Sequence, residues 1–132
     1  MRIVIVLVIQ ICDNKVEIRR DIFNEITGCL GTALGYLKEE ETLQKSYHDI
    51  LVLRRKLSEK GNWMEHPVNR FAGNRLLVAE AQLAAAICRK ESRGVFKRAD
   101  YPLEREEFHH LSFAVSMKHG MREPLTIREE RF

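Results

Sequence analysis

The chain has 132 residues, 45% of them apolar and 31% charged, with a formal net charge of +3. That length is about one domain's worth, and the balance excludes an intrinsically disordered chain. Acidic and basic residues are interleaved, as in Glu17–Asp21 and Arg105–Phe108. No single-sign patch results, so nothing directs the chain to nucleic acid.

The N-terminus, "MRIVIVLVIQIC", holds about ten apolar residues, against the roughly 20 a membrane span needs. No small-x-small cleavage site comes after it, and bulky Ile11 before Cys12 does not suit a lipid anchor. Val and Ile dominate, which predicts a β-strand within a segment 1–13. Ile3, Ile5, Leu7 and Ile9 would lie on one face and Val4, Val6 and Val8 on the other, so such a strand needs cover on both sides. A processed segment remains the alternative.

Three helices are predicted over residues 14–102. The first begins near Asn14, with Glu17 at capping-box spacing. Ile18, Ile22, Ile26 and Cys29 or Leu30 recur at helical intervals, and Gly31 and Gly35 punctuate the end. The second opens on Glu39, Glu40 and Glu41 and closes on Lys56, Lys60 and Gly61, as the helix dipole favours. Its apolar stripe is Leu43, Tyr47, Ile50, Leu51 and Leu57. The third starts at Pro67 and stops at Gly94. Its Ala-rich middle, Leu76–Ile87, is apolar nearly all round, which makes it central and closely packed at Ala84, Ala85 or Ala86. Short connections make the whole an antiparallel, spectrin-repeat-like three-helix bundle, and the fold class mainly α.

Residues 103–132 form a C-terminal β arm or hairpin. Leu111, Phe113 and Val115 alternate with His110, Ser112 and Ser116; His119–Gly120 reads as a turn and Met121–Ile127 as the return strand. Pro124 confines that second strand to an edge.

No residue pattern announces chemistry. There is no dinucleotide or phosphate loop and no nucleophile elbow. Cys12, Cys29 and Cys88 are too scattered for a zinc site and read as reduced thiols of a cytoplasmic protein. On a strand, His109 and His110 would point to opposite faces, which does not suit one metal. Glu39–Glu41 reads as a helix start and Trp63 as a packing residue.

The segment "CRKESRGVFKRADYP", Cys88–Pro102, carries the informative pattern. Glu91, Ser92, Arg93, Gly94, Arg98, Asp100, Tyr101 and Pro102 resemble the end of the last long helix, and the segment after it, in the C-terminal domain of one flavoprotein family. That family comprises the flavoprotein subunits of succinate dehydrogenase and fumarate reductase, with L-aspartate oxidase. Phe96 departs from the family's usual His. Glu17–Ile22 resembles the start of its first helix and "EEETLQKSYHDILVL" its second, so the resemblance spans residues 15–115. "NRFAGNRLL", Asn69–Leu77, is only superficially similar to the family's flavin-side motif, because it runs directly into the third helix.

The resemblance implies an oxidoreductase context in which FAD and the dicarboxylate are held by domains upstream of this one. None of their sequence lies within these residues, so no catalytic, cofactor or metal residue carries over, and the chain is expected to bind no FAD alone. It implies a domain, detached here, that docks to a flavoprotein partner and is not catalytic alone; a repurposed helical binding module without a redox role is the alternative. The expected partner-binding residues are Arg93, Phe96, Arg98, Asp100 and Tyr101, with the two arginines pairing with a partner's carboxylates. Beside that reading stands the plainer one of a basic last helical turn closed by Gly94. An apolar N-terminal strand without cover also predicts a homodimer or larger assembly.

Overall fold

Three helices carry the architecture. The structure is a computed structural model that describes residues 16–59, 67–117 and 124–131, with side chains from Ile22 onward. In chain order come α1 (Val16–Ala33), β1 (Leu37–Lys38), α2 (Glu40–Ser58), α3 (Pro67–Cys88), β2 (Lys97–Arg98), a 3-10 turn (Glu106–Phe108), β3 (Leu111–Ser116) and β4 (Thr126–Arg131). The expected strand Ile3–Ile9, the Asn14 cap, Cys12, Trp63 and the His119–Gly120 turn lie outside the described residues.

The bundle core arises from helical spacing. Ile26 and Ala33 of α1, Leu43, Ile50, Leu53 and Leu57 of α2, and Ala72, Leu76, Ala79 and Leu83 of α3 are all buried in one cluster. On α2 these positions recur every three or four residues, so one stripe faces inward. Ala84 and Ala86 are buried as well, where small side chains let the elements approach closely; Ala85 lies nearer the surface. Gly31, expected at the end of α1, lies inside it, as Gly28 does; the helix closes at Ala33, two residues before Gly35.

α2 begins one residue later than its acidic run. Glu39 is the capping residue but makes no side-chain cap. Asp100, sixty residues away, accepts a 3.2 Å hydrogen bond from the Glu40 amide instead. A carboxylate there satisfies an orphan N–H and complements the helix dipole. Arg55 and Lys56 complement the other end.

α3 ends at Cys88 rather than at Gly94 as its sequence suggested. The chain leaves the helix early because Glu91 and Ser92 turn into the interior, where their side chains are almost fully buried. Gly94 serves a tight turn instead. Arg93 and Phe96 exchange both backbone hydrogen bonds at 2.9 Å, and φ at Gly94 is +55°. A positive φ at the first central residue alone is the pattern of a type II′ turn. The next strand, β2, pairs in parallel with β1, Leu37 opposite Lys97 and Lys38 opposite Arg98.

β3 and β4 form the C-terminal hairpin, antiparallel, from Leu111 opposite Arg131 to Ser116 opposite Thr126. The described return strand starts at Thr126, two residues after Pro124, which offers no amide to a ladder; the expected start at Met121 lies outside the described residues. Two polar contacts tie the hairpin to the bundle. Arg89 Nη2 donates to the Leu111 carbonyl at 2.6 Å, and the Leu125 amide donates to Glu80 Oε1 at 2.6 Å. Glu80, wholly buried on α3, also pairs with the buried Arg54 of α2. His109 and His110 precede β3 rather than lying on it. His110 has φ +58° and the two rings stack with centroids 4.0 Å apart, so they share a side instead of facing opposite ways.

Candidate functional site

Past the end of α3, the charged stretch Arg89–Arg105 closes on itself around two buried ions. The first is Glu91, whose side chain has no exposed surface. It accepts from Arg89 Nη1 at 2.6 Å, from Arg93 Nη2 at 3.0 Å and from the Arg105 amide at 3.0 Å. Burial raises its carboxyl pKa, but the hydrogen bonds from Arg93, Arg105 and Arg89 outweigh that, and the net shift is downward. Arg93, half-buried, reaches on to Glu104 at 3.2 Å and to the Arg105 carbonyl at 3.1 Å.

The second ion is Arg98, which is 1% exposed. Its Nε and Nη2 grip Asp100 at 2.8 and 2.5 Å, its Nη2 also reaches Glu40 at 2.6 Å, and its Nη1 donates to the Ala86 carbonyl near the end of α3 at 2.8 Å. The guanidinium lies 5.1 Å from the Tyr101 ring centroid. The planar fork suits this bidentate grip. The hydrogen bond from Arg98 holds the Asp100 carboxyl below the usual range, and Glu40 is lowered first by Gln44 and then by Arg98.

Ser92 joins the two centres. Its Oγ accepts from the Arg98 amide at 2.8 Å and donates to the Tyr101 carbonyl at 2.8 Å, while its own amide donates to the Leu103 carbonyl at 3.1 Å. One centre sets two arginines around a carboxylate and the other sets two carboxylates around an arginine, so together they balance. Buried charges persist only when paired in this way.

The five residues expected to meet a partner are therefore divided. Arg98, Asp100 and Tyr101 form one cluster, and Arg93 belongs to the other. Glu91, Glu104, Glu40 and Asp100 of the chain itself pair with Arg93 and Arg98, the two arginines expected to meet a partner's carboxylates. Phe96 packs against the core with its ring centroid 4.8 Å from Lys38 Nζ. Sequence reasoning read Glu91 and Ser92 as residues of the family motif and Glu40 as part of a helix start, and placed none of the three in a buried ionic network. Polar residues at the end of an Ala-rich helix signal the first two, but nothing local links Glu40 to Arg98, 58 residues on.

The surface that this framework holds outward is apolar. Val95, at the tip of the turn, is 95% exposed, Tyr36 is 80% and Leu37 is 56%. Beside them a groove of about 350 Å³ runs between Leu34, Ala85, Phe96 and Phe113. A second groove, about 330 Å³, runs along the seam of α1 and α3 past Phe71 and Val78, and Gln82 borders both. Among the described residues no three His, Cys, Asp or Glu side chains are grouped to hold a metal ion. No described helix is long and apolar enough to cross a membrane.

Comparison with known proteins bears on the fold and the family. A chain of the solved "Mycobacterium smegmatis Sdh1 complex in the apo form" superposes with a TM-score of 0.70 at 22% identity, over 86% of this chain and 20% of that one. The present chain thus spans a fifth of its structural relative, and the likeness shows a shared fold. No curated protein matches. The family model described as fumarate reductase flavoprotein C-term matches residues 24–131, nearly all of the described structure, and the chain belongs to that family.

Proposed function

We propose that this chain works by packing against the flavin-bearing body of a succinate dehydrogenase/fumarate reductase-type oxidoreductase, as a structural domain that supplies no catalytic group and holds no FAD itself. The observation that carries this reading is the apolar rim of Tyr36, Leu37 and Val95, presented on the short β1–β2 pair and its turn. Glu91 and Arg98 are already neutralised within the chain, and the Lys38 ammonium is held by the Gly35 carbonyl and the Phe96 ring, so covering the exposed carbon of the rim strips little charge of its water. Aromatic and aliphatic anchors over a satisfied polar framework are what a docking surface requires. The family supplies the candidate partner: the matched domain belongs to a flavoprotein.

The test is reconstitution. A succinate dehydrogenase-type flavoprotein truncated before its C-terminal domain is mixed with this chain and run on a sizing column, with FAD retention read by absorbance. We expect a one-to-one complex with the flavin on the partner. The rim variants Leu37→Asp and Val95→Asp are expected to weaken it without unfolding the chain, since both residues are exposed. Rim variants that bind as the parent does would remove the rim from the interface, and flavin travelling with this chain alone would refute the reading outright.

A further inference from the structure

The seam between α1 and α3 carries an apolar surface of its own. Phe23 of α1 meets Phe71 of α3 with ring centroids 5.7 Å apart, and the Arg75 guanidinium stands 5.6 Å from the Phe23 centroid. Further along, Ile26 and Leu30 line a groove of about 330 Å³ together with Val78 and Ala79. The two helices thus run side by side in the same sense, and both start at the end of the bundle where Phe23 and Phe71 meet. Ile26 and Ala79 are wholly buried and form the floor, whereas Phe71 and Val78 are each 58% exposed. Among the described lining residues only Arg75 is charged, and it already has an aromatic ring beneath it. The groove therefore suits an uncharged, apolar occupant, and contiguous apolar surface of this kind is usually covered.

The chain carries such an occupant next to the same end of the bundle. Ile3–Ile9, outside the described residues, contains no polar side chain, and the described backbone of α1 starts at Val16. Along the helix axis, Phe23 lies about 10 Å from Val16 at 1.5 Å per residue. Residues 10–15 reach about 20 Å when extended, enough to turn back at the start of α1 and bring Ile9 to Phe71. The groove from Phe71 to Gln82 is about 16 Å long, and seven extended residues span about 23 Å. A linker this short holds the segment near the groove at millimolar effective concentration, roughly a thousandfold above a second copy present at micromolar concentration. We propose that Ile3–Ile9 folds back on its own chain and covers the groove between α1 and α3, with the larger row Ile3, Ile5, Leu7 and Ile9 turned inward. The rim of Tyr36, Leu37 and Val95 stays free, because Tyr36 and Leu37 follow the opposite end of α1 and Val95 lies on the turn beside them.

The test puts a nitroxide label on the segment of the full chain. Cys12, Cys29 and Cys88 are replaced by Ala, and Leu7→Cys takes the label. The magnetic resonance signals of Leu30, Phe71 and Val78 are expected to be lost by broadening and to return when the label is reduced. Val78→Asp changes an exposed position, so the fold is kept, and it should restore the signals of Leu30 and Phe71 by releasing the segment. Ile9→Cys serves if the Leu7 variant aggregates. A mixed sample, with the label on one population and isotope enrichment on the other, separates the two possible sources of cover. Broadening that appears in the mixed sample assigns the groove to a second copy and overturns the proposal. Groove signals indifferent to the label, or broadening indifferent to Val78→Asp, overturn it as well.

Discussion

Replacing Arg98 by Met separates two roles for the same residue. If Arg98 is the buried centre of its own cluster, the variant loses stability; if it is held for a partner, the variant folds normally and loses only affinity. The structure sets the size of the first effect. The side chain is 1% exposed and donates to Asp100, to Glu40 and to the Ala86 carbonyl. Removing one member of a buried pair costs about 3–5 kcal/mol. The carboxylates left behind are 29% and 40% exposed, so water recovers part of their charge and the lower end applies. Met refills most of the aliphatic volume, so the cavity contribution is small. A loss of about 3 kcal/mol lowers the melting temperature of a domain this size by roughly 10 °C. Thermal unfolding measured by circular dichroism reads it. A cycle with Asp100→Asn should show the double variant losing less than the two single losses combined, by about 1–2 kcal/mol. A midpoint within about 3 °C of the parent, with no coupling to Asp100, would refute the internal role.

Two further outcomes are expected. Asp100, Glu40 and Glu91 all have carboxyl pKa values lowered in the folded state. Their stabilisation is therefore complete above the unfolded value near pH 4 and drains away as pH falls through the folded values. The melting temperature should drop steeply below about pH 4, less so in Arg98→Met; a parent midpoint unchanged down to about pH 2.5 would contradict the network. The glycines should respond with opposite signs. Gly94→Ala forces a Cβ into a backbone of φ +55° and should cost about 1 kcal/mol, whereas Gly28→Ala, inside α1 with open space around it, should gain about 0.5–1 kcal/mol. Urea midpoints moving the same way for both would show that one of the two backbone assignments is wrong.

Residue spacing alone determined the helices. Ile22, Ile26 and Leu30, or Leu43, Ile50 and Leu57, repeat at intervals that only a helix can turn to one side, and Pro67 marks a start that its fixed φ favours. The alternation of Leu111, Phe113 and Val115 likewise determined β3. The motif Glu-Ser-Arg-Gly, Arg98 and Asp-Tyr-Pro was legible as a family signature, but its physical work was not. Buried polar residues answer to partners far along the chain: Arg98 to Glu40, Asp100 to the amide that opens α2, Glu80 to Arg54 and to Leu125. Such pairings depend on where the bundle sets each helix end, and no local period encodes that. The same holds for the end of α3. Propensity would carry the helix on through Arg93, but a buried Glu91 with two arginines and an amide around it is stable only if the chain leaves the helix at Cys88. Tertiary electrostatics decided that boundary, and with it the turn that holds Val95 in solvent.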